Sequence, residues 1–304
     1  MRTIETAAGH RTGELSVHVP WTYIDHQLVA KRASSPLTAS PRPFVRWAGS
    51  KQRLLSQIIP HLPTRYRTYH EPFMGAGSMY FLLRPNSAVL NDRCKPLMEM
   101  YETVRVNYDK VYDNLQKMNV LDKDEYYHIR GSSPTDRIQA AVRFIYLNRA
   151  AWNGLYRVNS RGEFNVPYGR PRSSTIVDKQ HLTDASRELA NPGTILKSVD
   201  FEESIESVRP GDLVFLDPPY ASSKKRDGFI DYNEELFTWD DQIRLAEAAE
   251  YLQRNGAYVL VTNAYNSAIR ALYPSFREYP LVRRSSLASK STARRPVAES
   301  LLVS

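Results

Sequence analysis

In this 304-residue chain, the residues best suited to chemistry stand in "GDLVFLDPPYASSKK", Gly211 to Lys225. There the apolar run Leu213 to Leu216 ends on Asp217, Pro218, Pro219 and Tyr220. An amine on an aromatic ring, such as that of adenine, is a poor nucleophile because its lone pair is delocalised into the ring. Two acceptors set on its two hydrogens, the Asp217 carboxylate and the Pro218 carbonyl, draw the nitrogen toward a tetrahedral, nucleophilic geometry. The two prolines fix φ and stiffen the loop that holds this carbonyl. Tyr220 offers a ring on which a planar base stacks. The plain alternative is an Asp-Pro turn with a packed tyrosine.

Three further stretches could serve such a site. "EPFMGAGS" sets Gly75 and Gly77 between a strand and a helix, where glycine permits a tight turn and close approach of the backbone to a ligand; the same glycines also suit a purely steric turn. "VLND" follows and ends the next strand on Asn91 and Asp92. An acid at that tip can hold the hydroxyls of a nucleotide-like ribose, or cap the helix announced by Lys95 and Pro96. "FVRWAGSKQRLL" puts Trp47 and Lys51 four apart; they face one ligand pocket, or they are a buried ring beside a surface lysine.

The elements that must position these residues read as α/β. Short apolar runs alternate with helical patterns from Pro43 onward, which argues for a parallel sheet with helices on both faces. "REYPLVRRSSL" and "VAESLLVS" are expected to add an antiparallel edge. Residues 1–42 read as an N-terminal extension closing in a Ser/Pro-rich linker, 33–43, with "VPWTYIDHQLVA" locally ordered. Residues 43–108 and 181–304 form the main domain. An insertion at 109–180 carries a helix, "DRIQAAVRFIYLNRAAW", and a hairpin around Ser160, Arg161 and Gly162, dense in Arg, Asn and aromatics.

Composition narrows the partners. Lys and Arg number 41 against 33 Asp and Glu, a formal net charge of +8, which suits a polyanion and equally a solvated basic face. The single cysteine, Cys94, rules out an internal disulfide framework, points to a reducing compartment and has no partner that would make it a nucleophile. The N-terminus lacks a signal-peptide pattern, and no apolar run approaches membrane length. A cytoplasmic protein is expected, without metal or membrane, as a monomer or weak dimer.

"FVRWAGSK", "EPFMGAGS", "VLND", "LNRAAWNGLYRVNSRGEFNVPYG" and "FLDPPY", in this order, resemble the Dam-type DNA adenine methyltransferases over roughly residues 43–304. The resemblance implies a Rossmann-like seven-stranded methyltransferase sheet with an inserted helical and β-hairpin DNA-recognition domain. It implies S-adenosylmethionine as methyl donor and double-stranded DNA as partner, with methylation of a flipped-out adenine at its exocyclic amine. By position, Trp47, Lys51, Phe73, Gly75, Gly77, Asp92, Asp200 and Asp217 resemble cofactor-binding residues, and Asp217, Pro218, Pro219 and Tyr220 the catalytic ones. Arg46, Trp152, Asn153, Leu155, Arg157, Pro167 and Arg170 resemble DNA-binding residues. Among them Trp152 would stand beside the vacated base, Leu155 and Pro167 near a thymine methyl and Arg157 across from a guanine, as major-groove readout expects; GATC is the expected target. Trp152 departs from the family's usual tyrosine. Asp217 leans toward adenine but leaves cytosine N4 and RNA adenine open, and a catalytically silent DNA-binding module is the reading from another class.

Overall fold

In the computed structural model, residues 19–34, 41–220, 237–284 and 296–304 are described. The first eighteen residues of the extension, most of the Ser/Pro-rich linker and the segment after Tyr220 lie outside them. The chain runs β1 (Thr22–Tyr23), α1 (His26–Ser34), α2 (Leu55–Ile58), β2 (Arg65–Tyr66), β3 (Tyr69–Glu71), α3 (Ser78–Leu83), β4 (Ala88–Asn91) and α4 (Lys95–Leu115). It continues through α5 (Lys123–Gly131), α6 (Arg137–Ala150), α7 (Lys179–Leu189), β5 (Thr194–Lys197) and α8 (Phe201–Ile205). It closes with β6 (Leu213–Leu216), α9 (Trp239–Arg254), β7 (Tyr258–Ala264), α10 (Ser267–Ala271), β8 (Arg277–Arg284) and β9 (Pro296–Val303).

Seven strands form the main sheet in the order β5-β4-β3-β6-β7-β9-β8. The run from β5 to β7 is parallel. All four residues of β6 are buried, Leu213 and Phe215 in one core and Val214 and Leu216 in another, as a strand covered on both faces requires. Neighbours of β3 reverse the direction of winding: the chain moves outward through β4 and β5, then returns to β6. Ligands of such sheets bind outside the carboxyl ends of the strands at that switch point.

The expected antiparallel edge needs one correction. The antiparallel strand is β9, and it is internal, paired to β7 on one side and β8 on the other. The outer strand, β8, runs parallel to the main set. Its exposed backbone is partly blunted: the Gln57 side chain accepts from Val282 N at 3.0 Å and donates to Val282 O at 3.0 Å.

Residues 20–34 pack on this framework. β1 pairs with β2, Val29 is buried in the first core, and Trp21 lies under the guanidinium groups of Arg65 and Arg67 at 4.6 and 4.9 Å. Gly211 permits this contact, since a Cβ there would stand 2.7 Å from the Trp21 ring.

α4 enters the insertion across residue 108 with a kink at Asn107, whose φ of −137° and ψ of 31° are not helical. Asp136 caps α6 by accepting from Gln139 N at 2.9 Å. The hairpin is held by two antiparallel bridges, Ala151 with Tyr168 and Val158 with Phe164. Gly162, at φ +76°, sits in its tip, and the Asn159 amide donates to Glu163 O at 2.9 Å.

Candidate active site

Asp217 is the first residue beyond β6, Asp92 the first beyond β4, and Glu71 the last of β3. Three carboxyl groups therefore stand at neighbouring strand ends. Lys51 Nζ lies 2.6 Å from Asp217 Oδ1, and the Thr262 hydroxyl on β7 donates to the same oxygen at 2.6 Å. Burial pushes the Asp217 carboxyl up from its ordinary value; Lys51 and then Thr262 pull it back. Lys51 is only 4% exposed, so it is no surface lysine. It also donates to Gly49 O at 2.8 Å, lies 3.7 Å from Glu299 Oε2 and sits 4.8 Å from the Tyr220 ring centroid.

The loop after Asp217 is held from two sides. The Tyr220 hydroxyl donates to Glu299 Oε2 at 2.6 Å. The Pro219 carbonyl accepts from Gln242 Nε2 on α9 at 3.2 Å, and Gln242 Oε1 in turn accepts from Asn263 Nδ2 on β7 at 2.9 Å. Pro218 is buried and Pro219 half-buried.

The glycine loop is tied to the second strand tip. Asp92 Oδ2 accepts from the Gly75 amide at 2.9 Å, and its Oδ1 from the Cys94 amide at 2.9 Å. The acid thus fixes the turn leading into α4, whose cap residue Cys94 makes no side-chain cap. Burial raises the Asp92 carboxyl, opposed by these two amides. Gly75 has φ +49°, and a Cβ on it would come 2.6 Å from Trp47 Cδ1; here glycine is demanded both by conformation and by close approach. Tyr101 OH donates to Gly75 O at 2.9 Å, and Gly77, at φ +68°, begins α3. Phe73 packs on Phe201 and Phe237, each at 5.6 Å between ring centroids. Asp200 caps α8 and pairs with Arg244 at 2.9 Å. Burial drives the Cys94 thiol up to about 12, which leaves it no nucleophile at neutral pH.

The insertion meets this site through Trp47 and Arg46. Trp47 stacks with Tyr156 at 5.8 Å and Phe144 at 6.4 Å. The buried Asn148 accepts from Arg46 N at 2.8 Å and donates to Arg46 O at 2.7 Å and Gly154 O at 3.2 Å. It therefore joins the first motif to the turn Trp152–Gly154. On that turn Trp152 is 51% exposed, and its amide donates to Pro167 O at 2.9 Å. Leu155 is half-buried against the first core. Arg157 is exposed, with Nε donating to Asn165 Oδ1 at 2.7 Å.

Arg46, Asn153 and Arg170 line one cavity of about 300 Å³ together with Arg149 and Arg172. Asn153 and Arg170 hold φ of +53° and +50°, a strained backbone for residues other than glycine. Arg149 is fixed by donating to Thr175 O at 2.9 Å. Another hollow, about 330 Å³ between α4 and β5 and bordered by Lys95, Glu99 and Lys197, includes none of the site residues.

Sequence reading missed Thr262, Gln242, Glu299, Asn148, Arg149 and Arg172. For Glu299 a signal existed, the single charge in the largely apolar run "VAESLLV"; Asn148 likewise closes the apolar "FIYLN". Among the described residues there is no cluster of three His, Cys, Asp or Glu able to hold a metal ion, and no helix is long and apolar enough to cross a membrane.

Comparison with known proteins bears on this site. The family described as D12 class N6 adenine-specific DNA methyltransferase matches residues 47–287. The type II methyltransferase M1.LlaDCHI of Lactococcus lactis subsp. cremoris is 34% identical over 265 residues, 85% of this chain and 93% of that protein. M.MjaIII of Methanocaldococcus jannaschii is 33% identical, over 86% of this chain and 98% of its own. The DNA adenine methylase of Escherichia coli K12 is 32% identical, over 86% and 94%.

Proposed function

The chain belongs to the D12 class N6 adenine-specific DNA methyltransferases, and we propose that it methylates a flipped-out adenine, in GATC, from S-adenosylmethionine. The observation that carries the reading is Asp217 at a central strand end, flanked by Lys51, the tethered Tyr220 ring and the acids of β3 and β4. The wider enzyme class, a site-specific adenine methyltransferase acting on DNA, is that of the family. A DNA substrate implies a place of work inside the cell.

The donor set fits a cationic methyl donor. Asp92 and Asp217 set two carboxylates at the strand ends, beside the buried Glu71 carboxyl. Glu71 Oε2 is buried without a hydrogen-bond partner among the described residues, and Asp92 at the second strand end suits ribose hydroxyls. Trp47, Lys51, Phe73, Gly75, Gly77, Asp92 and Asp200 would hold S-adenosylmethionine, with Asp217 against it. When bound, it supplies an electrophilic methyl carbon on a sulfonium sulfur.

The rest is the work of this chain's own residues. Among the described residues, Lys51 and Thr262 both meet Asp217 at Oδ1, so Oδ2 is the oxygen we assign to one amine hydrogen, and the Pro218 carbonyl takes the other. Their pull concentrates the lone pair on the amine nitrogen. Tyr220 stacks on the base, and Gln242 keeps the loop from shifting. Positioning and fixed electrostatics supply the acceleration; the methylated nitrogen releases its extra proton to solvent, so Asp217 is not required to take it.

On the DNA side, we take residues 109–180 as the target-recognition part. Arg46, Asn153 and Arg170, with Arg149 and Arg172, offer a concave cationic surface suited to a phosphate backbone. Trp152 is the ring for the gap left by the base, Arg157 a bidentate partner for guanine, and Leu155 and Pro167 contacts for a thymine methyl. The test is to methylate mixed-sequence duplex DNA and read modified positions by single-molecule sequencing. Modified adenine within GATC supports the reading; modified cytosine, or adenine in another sequence, contradicts it.

A further inference from the structure

Glu299 belongs to none of the motifs and lies beyond the residues that the family matches, yet its side chain is 3% exposed within the site. Strand direction explains how it gets there. β9 runs against the parallel strands and pairs Glu299 with Ala264 at the carboxyl end of β7. The start of β9 is therefore delivered to the face where Asp217 and Tyr220 leave β6. Leu301 and Leu302 point into opposite cores, and the period of two puts Glu299 on the Leu301 side, the side that also holds Leu54 and Leu55 beyond Lys51.

A carboxylate buried so deeply is costly unless it is hydrogen-bonded and paired. Here its Oε2 accepts the Tyr220 hydroxyl at 2.6 Å and lies 3.7 Å from Lys51 Nζ. Lys51 thus stands between two carboxylates, Asp217 and Glu299, and offsets their mutual repulsion. We propose that Glu299 is a positioning residue, which fixes the plane of the Tyr220 ring for stacking on the target base by accepting its hydroxyl. A tyrosine ring held only through Cβ swings about its χ angles. A charge-assisted hydrogen bond at the far end of the ring removes that freedom before the base arrives. The proposal rests on the reading of Tyr220 as the stacking ring.

Single-turnover methyl transfer to a duplex substrate, with DNA and donor affinities measured separately, tests it. Tyr220→Phe and Glu299→Ala should each slow transfer roughly tenfold or more, the loss of one hydrogen bond to a charged group. Their affinities for DNA should stay near the unmutated protein's. Because both substitutions break the same bond, the double variant should be no slower than the slower single. Glu299→Gln keeps an acceptor for the hydroxyl and should recover most of the rate. Transfer at the unmutated rate in Tyr220→Phe overturns the proposal, as does a Glu299→Gln variant as slow as Glu299→Ala, or rate losses that multiply. If Glu299→Ala does not fold, Tyr220→Phe and Glu299→Gln decide by the same criteria. Tyr220→Ala separates the two levels: full activity there removes the stacking reading itself, whereas an inactive Tyr220→Ala beside a fully active Tyr220→Phe removes only the tether.

Discussion

The Lys51 ammonium lies 2.6 Å from Asp217 Oδ1, so the Trp-Ala-Gly segment near the start of the chain and the DPPY loop meet in one ion pair, its lysine buried and its acid half-buried. The lysine supports the ionised acid against the cost of burial, a cost that rises steeply when one partner is removed.

Lys51→Met should therefore move the pH dependence of methyl transfer. Burial raises the Asp217 pKa and Lys51 lowers it. Without the lysine the carboxyl gains protons at higher pH, and the acidic limb of the single-turnover pH–rate profile shifts toward alkaline pH. An unshifted limb with a uniformly lower rate would assign Lys51 to donor binding alone.

Glu71 gives a stability signature of its own. Burial pushes its carboxyl from 4.5 up to about 8, so between these values the folded chain holds a proton that the unfolded chain has lost. Folding is then favoured at the acid end, and the contribution is lost as pH rises through about 8, at up to about 1.4 kcal/mol per pH unit. Relative to Glu71→Gln, the unmutated protein should lose thermal stability from about pH 5 to about pH 8. Parallel melting curves across that range would show that Glu71 is ionised in the fold.

Asn148→Ala should destabilise the chain by about 2 kcal/mol or more, because it strands the Arg46 amide and two carbonyls that the side chain now satisfies. DNA recognition should weaken with it, since the same amide ties Arg46 to the turn bearing Trp152. Chemical denaturation and DNA titration check the two effects; unchanged values in both would detach Asn148 from the interface.

Arg157 and Arg172 should separate on salt and sequence. Arg172→Ala should weaken binding to every sequence and reduce the slope of log affinity against log salt by about 0.9. Arg157→Ala should relax discrimination at one base pair by ~1–3 kcal/mol and leave the slope closer to its original value. Titrations of two sequences at several salt concentrations distinguish them.

Legibility in the sequence followed locality. Strand β6 could be read directly, because the apolar run "LVFL" and the acid that ends it are adjacent, and the strand-helix alternation pointed to the parallel set that holds β3, β4 and β6. The place of β9 did not follow from its own residues, since an antiparallel strand is equally apolar at an edge or inside a sheet; pairing on both sides decided it. Glu299, Thr262 and Gln242 act through partners on other elements, and Arg149 and Arg172 become a cluster with Arg46 only once the hairpin folds back. Residues 20–34 had no motif at all, and the packing of Trp21 on Gly211 depends on two elements far apart in the chain.

The most direct measurement is single-turnover methyl transfer by Asp217→Ala on duplex DNA, with DNA binding followed in parallel. Transfer should fall by at least roughly a hundredfold, the scale of losing one preorganised electrostatic contact in a transition state, while DNA affinity changes little. Near-normal transfer by this variant would contradict the assignment of Asp217 as the acid that holds the adenine amine.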